Sequence, residues 1–204
     1  MSCHGYTGEF IINMYRFSYI KILATSILLL LPGLMCLNSE ENKGNSAVVD
    51  QGNFLVDQLG CNTCHTPKIK TEKGLIPDPD RLLSGHPANE KLPDVPKGLV
   101  GEGKWAGVYS QSLTAWAGPW GVSYAANLTP DKETGIGNWT KENFISTIRL
   151  GIHTTSLARE ISPPMPWEQI SLLDDGDLEA IYYYLMSIKP VKNKVPEHKE
   201  LKGD

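Results

Sequence analysis

One pentapeptide constrains this chain more than any other feature. Cys61-Asn62-Thr63-Cys64-His65 is a C-x-x-C-H motif, the attachment signature of c-type haem. The spacing has a chemical reason. Two thiols separated by two residues add across the two vinyl groups of one porphyrin and form two thioethers. The next residue, a histidine, then lies under the ring and offers an imidazole nitrogen to the iron. Other uses of a Cys pair compete less well. A structural zinc site needs two ligand pairs; after Cys64 the chain has no cysteine, and His86, His153 and His198 are widely scattered. A thioredoxin-like redox pair needs a βαβ setting, and no βαβ series is readable. A local disulfide between Cys61 and Cys64 is the remaining alternative.

The other two cysteines lie early in the chain, at 3 and 36. Met14 to Lys21 carries two positive charges, and Ile22 to Leu34 follows as 13 residues without a charge. A short basic start and a short apolar run describe an export signal. A spanning helix needs about 20 apolar residues. Glu9 fits a signal poorly, so Met14 is a candidate true start. Cys36 closes the apolar run and a polar tether follows, a layout that resembles a bacterial lipoprotein signal. Cys36 is therefore a candidate lipidation site, although Gly33-Leu34-Met35 is not the usual run of small residues. The alternatives are an uncleaved anchor, or cleavage nearby with release. Each implies export, to the periplasm or to a membrane surface facing it. The expected organisation is a targeting segment at 1–35, a tether at 36–46, a monohaem domain at 47–195 and a charged tail at 196–204. With 19 basic and 23 acidic residues in 204, the net charge is −4. That balance argues against a nucleic-acid partner, and 41% hydrophobic residues are enough for a real core.

A haem iron has a second axial position. Met165 is the candidate, in Ser162-Pro-Pro-Met-Pro-Trp167, where flanking prolines predict an extended, stiff segment. Core filling is its plainer role. Met186 competes from inside an apparent helix, and His86 or His153 would give bis-histidine ligation. Met/His ligation raises the potential and fills both faces of the iron, which favours electron transfer over substrate chemistry. Pro67 and Pro77, near the motif, are candidates for the carbonyl that accepts from His65.

Three helices are readable. Residues 47–60 lead into the motif, with Val48, Phe54, Leu55 and Leu59 as inner positions. Residues 141–150 follow Thr140 as N-cap and stop at Gly151. Residues 175–188 follow Asp174, with Leu178, Ile181, Leu185 and Ile188 on one face. Residues 68–138, rich in glycine and proline, read as a long loop ordered by packing on a porphyrin.

The order helix, C-x-x-C-H, long loop, helix, methionine loop, final helix resembles a class I cytochrome c. That resemblance implies an all-α fold of three to five helices around one covalently bound haem c, with a long loop insertion. It also implies a close crossing of Gly52 with Ile181 and Tyr184. Gly135-Ile-Gly-Asn-Trp139 is similar to the family's stretch whose tryptophan bonds a haem propionate, which assigns Trp139 to the haem pocket. Arg81-Leu-Leu-Ser-Gly-His-Pro87, Trp116-Ala-Gly-Pro-Trp-Gly121, Ala126-Asn-Leu-Thr-Pro-Asp131, Pro164-Met-Pro-Trp167 and Lys189-Pro-Val-Lys-Asn-Lys-Val-Pro196 resemble the cytochrome subunits of bacterial membrane-associated alcohol and gluconate dehydrogenases. Those usually carry three haems; this chain has one motif and resembles one module. Arg81 is a second pocket candidate, able to pair with a propionate or to form an ordinary surface salt bridge. The expected function is an electron carrier, not an enzyme, working between an exported or membrane-associated dehydrogenase and a respiratory acceptor such as an oxidase or another cytochrome. The alternatives are a haem enzyme (peroxidase or sulfur-compound oxidase) and a haem-based sensor with a displaceable sixth ligand.

Overall fold

The structure, a computed structural model, describes residues 46–155 and 159–201. The targeting segment, Met14, Met35 and Cys36 lie outside the described residues.

The first helix, α1, covers residues 46–58. Its inner face is Gly52, Leu55 and Val56. The expected inner positions Val48, Phe54 and Leu59 are exposed, Phe54 by 56%. The reason is a helix crossing. A Cβ added to Gly52 would lie 2.0 Å from the Ala180 carbonyl oxygen and 2.8 Å from Tyr184 Cβ. Only a glycine admits that approach, and it turns Leu55 and Val56 inward. The expected partner Tyr184 is there, and the closest approach is to Ala180.

α2 is the motif itself, Cys61–His65. α3 covers Lys141–Leu150. Thr140 caps it by accepting from the Asn143 amide, and Asn143 reaches back to the Thr140 amide. Gly151, at φ 67°, ends it. α4 is the single turn Trp167–Ile170. α5 covers Asp175–Ser187, capped by Asp174, whose carboxylate accepts from the Asp177 amide at 2.8 Å. Leu178, Ile181 and Leu185 are buried, as the period predicts. They join Leu55, Val56, Leu83, Ile136, Phe144 and Ile148 in one core.

The all-α expectation is corrected by what lies between α2 and α3. β1 (Lys68–Thr71) pairs antiparallel with β2 (Gly74–Pro77), Ile69 opposite Ile76. A 3-10 turn follows at Pro79–Arg81. Then β3 (Val108–Tyr109), β4 (Ala115–Gly118) and β5 (Gly121–Tyr124) form a second antiparallel sheet in that order. The fold is mixed α and β, and the presumed loop carries its own hydrogen-bonded ladders. The β1–β2 and β4–β5 hairpins close through short turns with a positive-φ glycine, Gly74 at φ 102° and Gly121 at φ 100°.

The tail is tied down along much of its length. Val122 and Lys199 exchange backbone hydrogen bonds at 2.6 and 3.1 Å, which extends the β5 edge. Val191 donates to Thr129 Oγ1, and Asn193 to Thr134 Oγ1. Among the described residues, no helix is long and apolar enough to cross a membrane.

Candidate haem-attachment site

The motif is helical because Gly60 breaks α1 just before it. Gly60 takes φ 70° and ψ 25°, a left-handed turn, and its carbonyl accepts from the Thr63 amide at 2.9 Å. Five residues of helix place both thiols and the imidazole within one and a half turns. Cys61 and Cys64 are free and half-buried. Burial pushes the Cys61 thiol up to about 11, with Cys64 and Asp57 adding to the rise and a backbone hydrogen bond opposing it. Burial also raises Cys64, and Lys68 opposes that rise. At neutral pH both groups are therefore thiols, the form that attachment to vinyl groups consumes.

His65 is 8% exposed. Its Nδ1 lies 2.8 Å from the Ala126 carbonyl. A carbonyl only accepts, so Nδ1 carries the proton. Burial lowers the pKa of the ring, and the bond to Ala126 only partly offsets this. The neutral imidazole thus holds its lone pair on Nε2, the ligand form for a metal. Neither Pro67 nor Pro77 is the acceptor. The Pro67 carbonyl accepts instead from the Asp78 amide at 2.9 Å. Ala126 lies 61 residues from His65, and no local pattern announces such a pairing.

A short buried loop holds this arrangement. The Gly85 amide donates to the His65 carbonyl at 2.7 Å, and the His86 amide donates to the Ala125 carbonyl at 2.9 Å. Gly85 has φ 79°, and a Cβ there would lie 2.5 Å from the Ala125 oxygen and 2.6 Å from the Ala126 carbonyl carbon. Glycine lets the loop press on the very peptide that orients His65. Asn193 buckles the loop from the tail. Its side chain accepts from the Ala88 amide and donates to the Ser84 and His86 carbonyls, at 3.0, 2.7 and 2.9 Å. Asn193 lies in the Lys189–Pro196 stretch that carries the resemblance, but nothing local in the sequence announces its reach to the 84–88 loop.

The other predicted site residues divide into two groups. Met165 and Trp139 are half-buried and pack against the same core cluster as Cys61. The methionine segment is a turn rather than the expected extended run. The Pro163–Pro164 peptide is cis, and the Met165 amide donates to the Ser162 carbonyl at 3.4 Å. Both flanks are anchored. Ser123 Oγ donates to the Pro163 carbonyl at 2.6 Å, and the Trp167 ring covers Gly151 at the end of α3. Tyr182 donates to the Trp139 carbonyl at 2.9 Å, and the His153 ring meets the Trp139 ring edge-on with centroids 5.9 Å apart. Arg81 stands apart. Its Nε donates to Asp78 at 2.7 Å, so its guanidinium already has a carboxylate partner.

Two of the scattered histidines each have a partner at one ring nitrogen, while His86 Nε2 is buried without one among the described residues. His86 is fully buried, with Nδ1 2.8 Å from Thr114 Oγ1. His153 Nε2 lies 3.3 Å from Arg159. Among the described residues no three His, Cys, Asp or Glu side chains converge on a metal position. A cleft of about 770 Å³ opens elsewhere, between the 90–98 loop, the second sheet and the tail, and none of the motif residues lines it. The residues of the motif fit haem c on the donor set alone: two free thiols on one short helix and a neutral imidazole with its Nε2 lone pair outward from its hydrogen bond.

No family model matches the chain. Individual relatives do. It is 40% identical over 82 residues to the alcohol dehydrogenase (quinone) cytochrome c subunit of Gluconobacter oxydans, covering 39% of this chain and 17% of that one. It is 37% identical over 84 residues to the fructose dehydrogenase cytochrome subunit of Gluconobacter japonicus, covering 41% of this chain and 17% of that protein. It is 27% identical over 168 residues to the gluconate 2-dehydrogenase cytochrome c subunit of Pantoea cypripedii, covering 81% of this chain and 29% of the relative. The chain spans less than a third of the length of each of these relatives. It is thus similar to cytochrome c subunits of dehydrogenases and matches a portion of them.

Proposed function

We propose that this chain is an electron carrier, exported and not itself an enzyme, that holds one haem c through thioethers at Cys61 and Cys64, with His65 and Met165 as axial ligands. Its donor would be a membrane-associated dehydrogenase, by analogy with the relatives, and its acceptor a respiratory protein. The observation that carries the reading is the His65 hydrogen bond to Ala126, beside two free thiols of the same helix. Bound haem c supplies an iron that passes one electron at a time between ferric and ferrous states.

The chain's own residues have definite tasks. Cys61 and Cys64 fix the group covalently. Ala126 holds the imidazole in one orientation and, by accepting from Nδ1, raises the basicity of Nε2. The anchored turn around Met165 offers a thioether from a position that does not drift. Trp139, through its indole N–H, is the pocket donor toward a propionate. Arg81, bonded to Asp78, would pair with a propionate only by exchanging that partner. A lipid on Cys36, or an uncleaved anchor, would concentrate the domain at the membrane near its donor.

The test compares visible spectra of wild type and Met165→Ala, made with a haem c maturation system, with and without carbon monoxide. Wild type is expected to be low-spin, to show the weak red sulfur-to-iron band and to ignore the gas. Met165→Ala is expected to lose the band and bind the gas. Ready binding by wild type would show an open sixth position and overturn the Met165 assignment.

A further inference from the structure

Lys68 lies three residues beyond His65, at the start of β1, and its side chain turns back on the motif. Its Nζ lies 2.6 Å from the Thr66 carbonyl, 3.0 Å from that of Thr63 and 3.4 Å from that of Asn62. An ammonium has three N–H donors and no acceptor, and here all three meet backbone oxygens. The bookkeeping of the helix explains why this matters. The last carbonyls of a helix have no partner within it. In α2 the His65 carbonyl is met by the Gly85 amide, and the Asn62 carbonyl also accepts from the Thr66 amide at 3.3 Å. The Thr63 carbonyl is left to Lys68. The C-terminal end of a helix also carries partial negative charge, which favours a cation.

The neighbouring side chains reinforce the same turn. Thr66 is fully buried; it donates to Asn62 Oδ1 at 2.8 Å and accepts from the Leu83 amide at 2.9 Å. Asn62 donates to Asp57 at 3.2 Å. Lys68 is the cation in this network, and it is only half-buried.

From this geometry we infer that Lys68 is a positioning residue of the haem site: its ammonium closes the C-x-x-C-H turn and places a fixed positive charge beside the group that Cys64 and His65 hold. The inference rests on the attachment proposed above. Two consequences follow. The turn is held in its helical form before the thiols react, so attachment is efficient. In the loaded protein the positive charge disfavours the more positive, ferric state, so it raises the midpoint potential.

The experiment compares wild type, Lys68→Met and Lys68→Arg as full chains matured in the same cells. Two quantities are read: covalent haem per protein, by mass, and the ferrous-to-ferric ratio at a fixed applied potential. Lys68→Met keeps the stem and loses the charge. It is expected to lower covalent occupancy and to lower the ferrous-to-ferric ratio roughly fivefold, the scale of a partly screened unit charge. Lys68→Arg keeps the charge and is expected to stay near wild type in the ratio. Equal ratios and occupancies in all three proteins would overturn the inference, as would an equal fall in both variants. Should Lys68→Met yield no loaded protein, recovery of loading by Lys68→Arg supports the inference and absence of recovery overturns it. Wild type without covalent haem would instead overturn the attachment itself.

Discussion

At the residue scale, three side chains that frame the site are held by backbone groups. His65 leans on the Ala126 carbonyl, Asn193 on two carbonyls and an amide, and Lys68 on three carbonyls. Asp78 combines a backbone partner with a side-chain one and gives a measurable consequence. It accepts from the Asp80 amide at 3.0 Å and from Arg81 at 2.7 Å, and it is buried. The Arg81 hydrogen bond holds its carboxyl below the usual carboxylate range. A carboxyl lowered in the folded state adds stability above its unfolded pKa of about 3.9. That stability disappears as the pH falls through the lower, folded value. Asp78→Asn is therefore expected to melt earlier than wild type at pH 7, with the gap closing as the pH drops below about 4. Melting curves from neutral pH down through the acid range check this; a constant gap would contradict it.

At the level of elements, the architecture turns on close approaches that glycine permits. Gly52 sets the contact between α1 and α5. Gly52→Ala would drive a methyl into the Ala180 carbonyl, and the two helices must separate. The expected loss is about 2–3 kcal/mol, the scale of overpacking in a core, read by denaturant unfolding. A near-neutral outcome would mean that the helices slide past each other freely.

The same elements show what a sequence does and does not expose. α3 and α5 are legible to within a residue, because Thr140, Gly151 and Asp174 are local signals that need no tertiary partner. Phe54 looks inward by local pattern and faces solvent in the fold, because the deciding contact, Gly52 on Ala180, is not local. The strands are hard to see because each is four residues or fewer. Their signals are nevertheless present: Gly118-Pro-Trp-Gly121 is a tight turn between two alternating runs, and Glu72-Lys73-Gly74 closes another. A count of glycines and prolines blurs such turns into loop.

At the scale of the whole molecule, two small sheets follow the motif in the chain and precede the helices α3 to α5, and they make a helical expectation into a mixed fold. They serve the site. β5 runs directly into Ala125 and Ala126, the peptides that hold His86 and His65, and its Ser123 anchors the methionine turn. The tail completes the frame by extending β5 and buckling the 84–88 loop. The motif itself is fully legible in five letters. Its support is not, because His65 meets Ala126 across 61 residues and Asn193 reaches Ser84 across 109.

Covalent haem at Cys61 and Cys64 is read most directly from the mass of the full chain matured in cells that attach haem c, before and after acid–acetone extraction. One haem's added mass is expected to survive extraction, and to be lost when Cys61 and Cys64 are both replaced by alanine. A chain of unmodified mass, or a haem that the solvent removes, would contradict it.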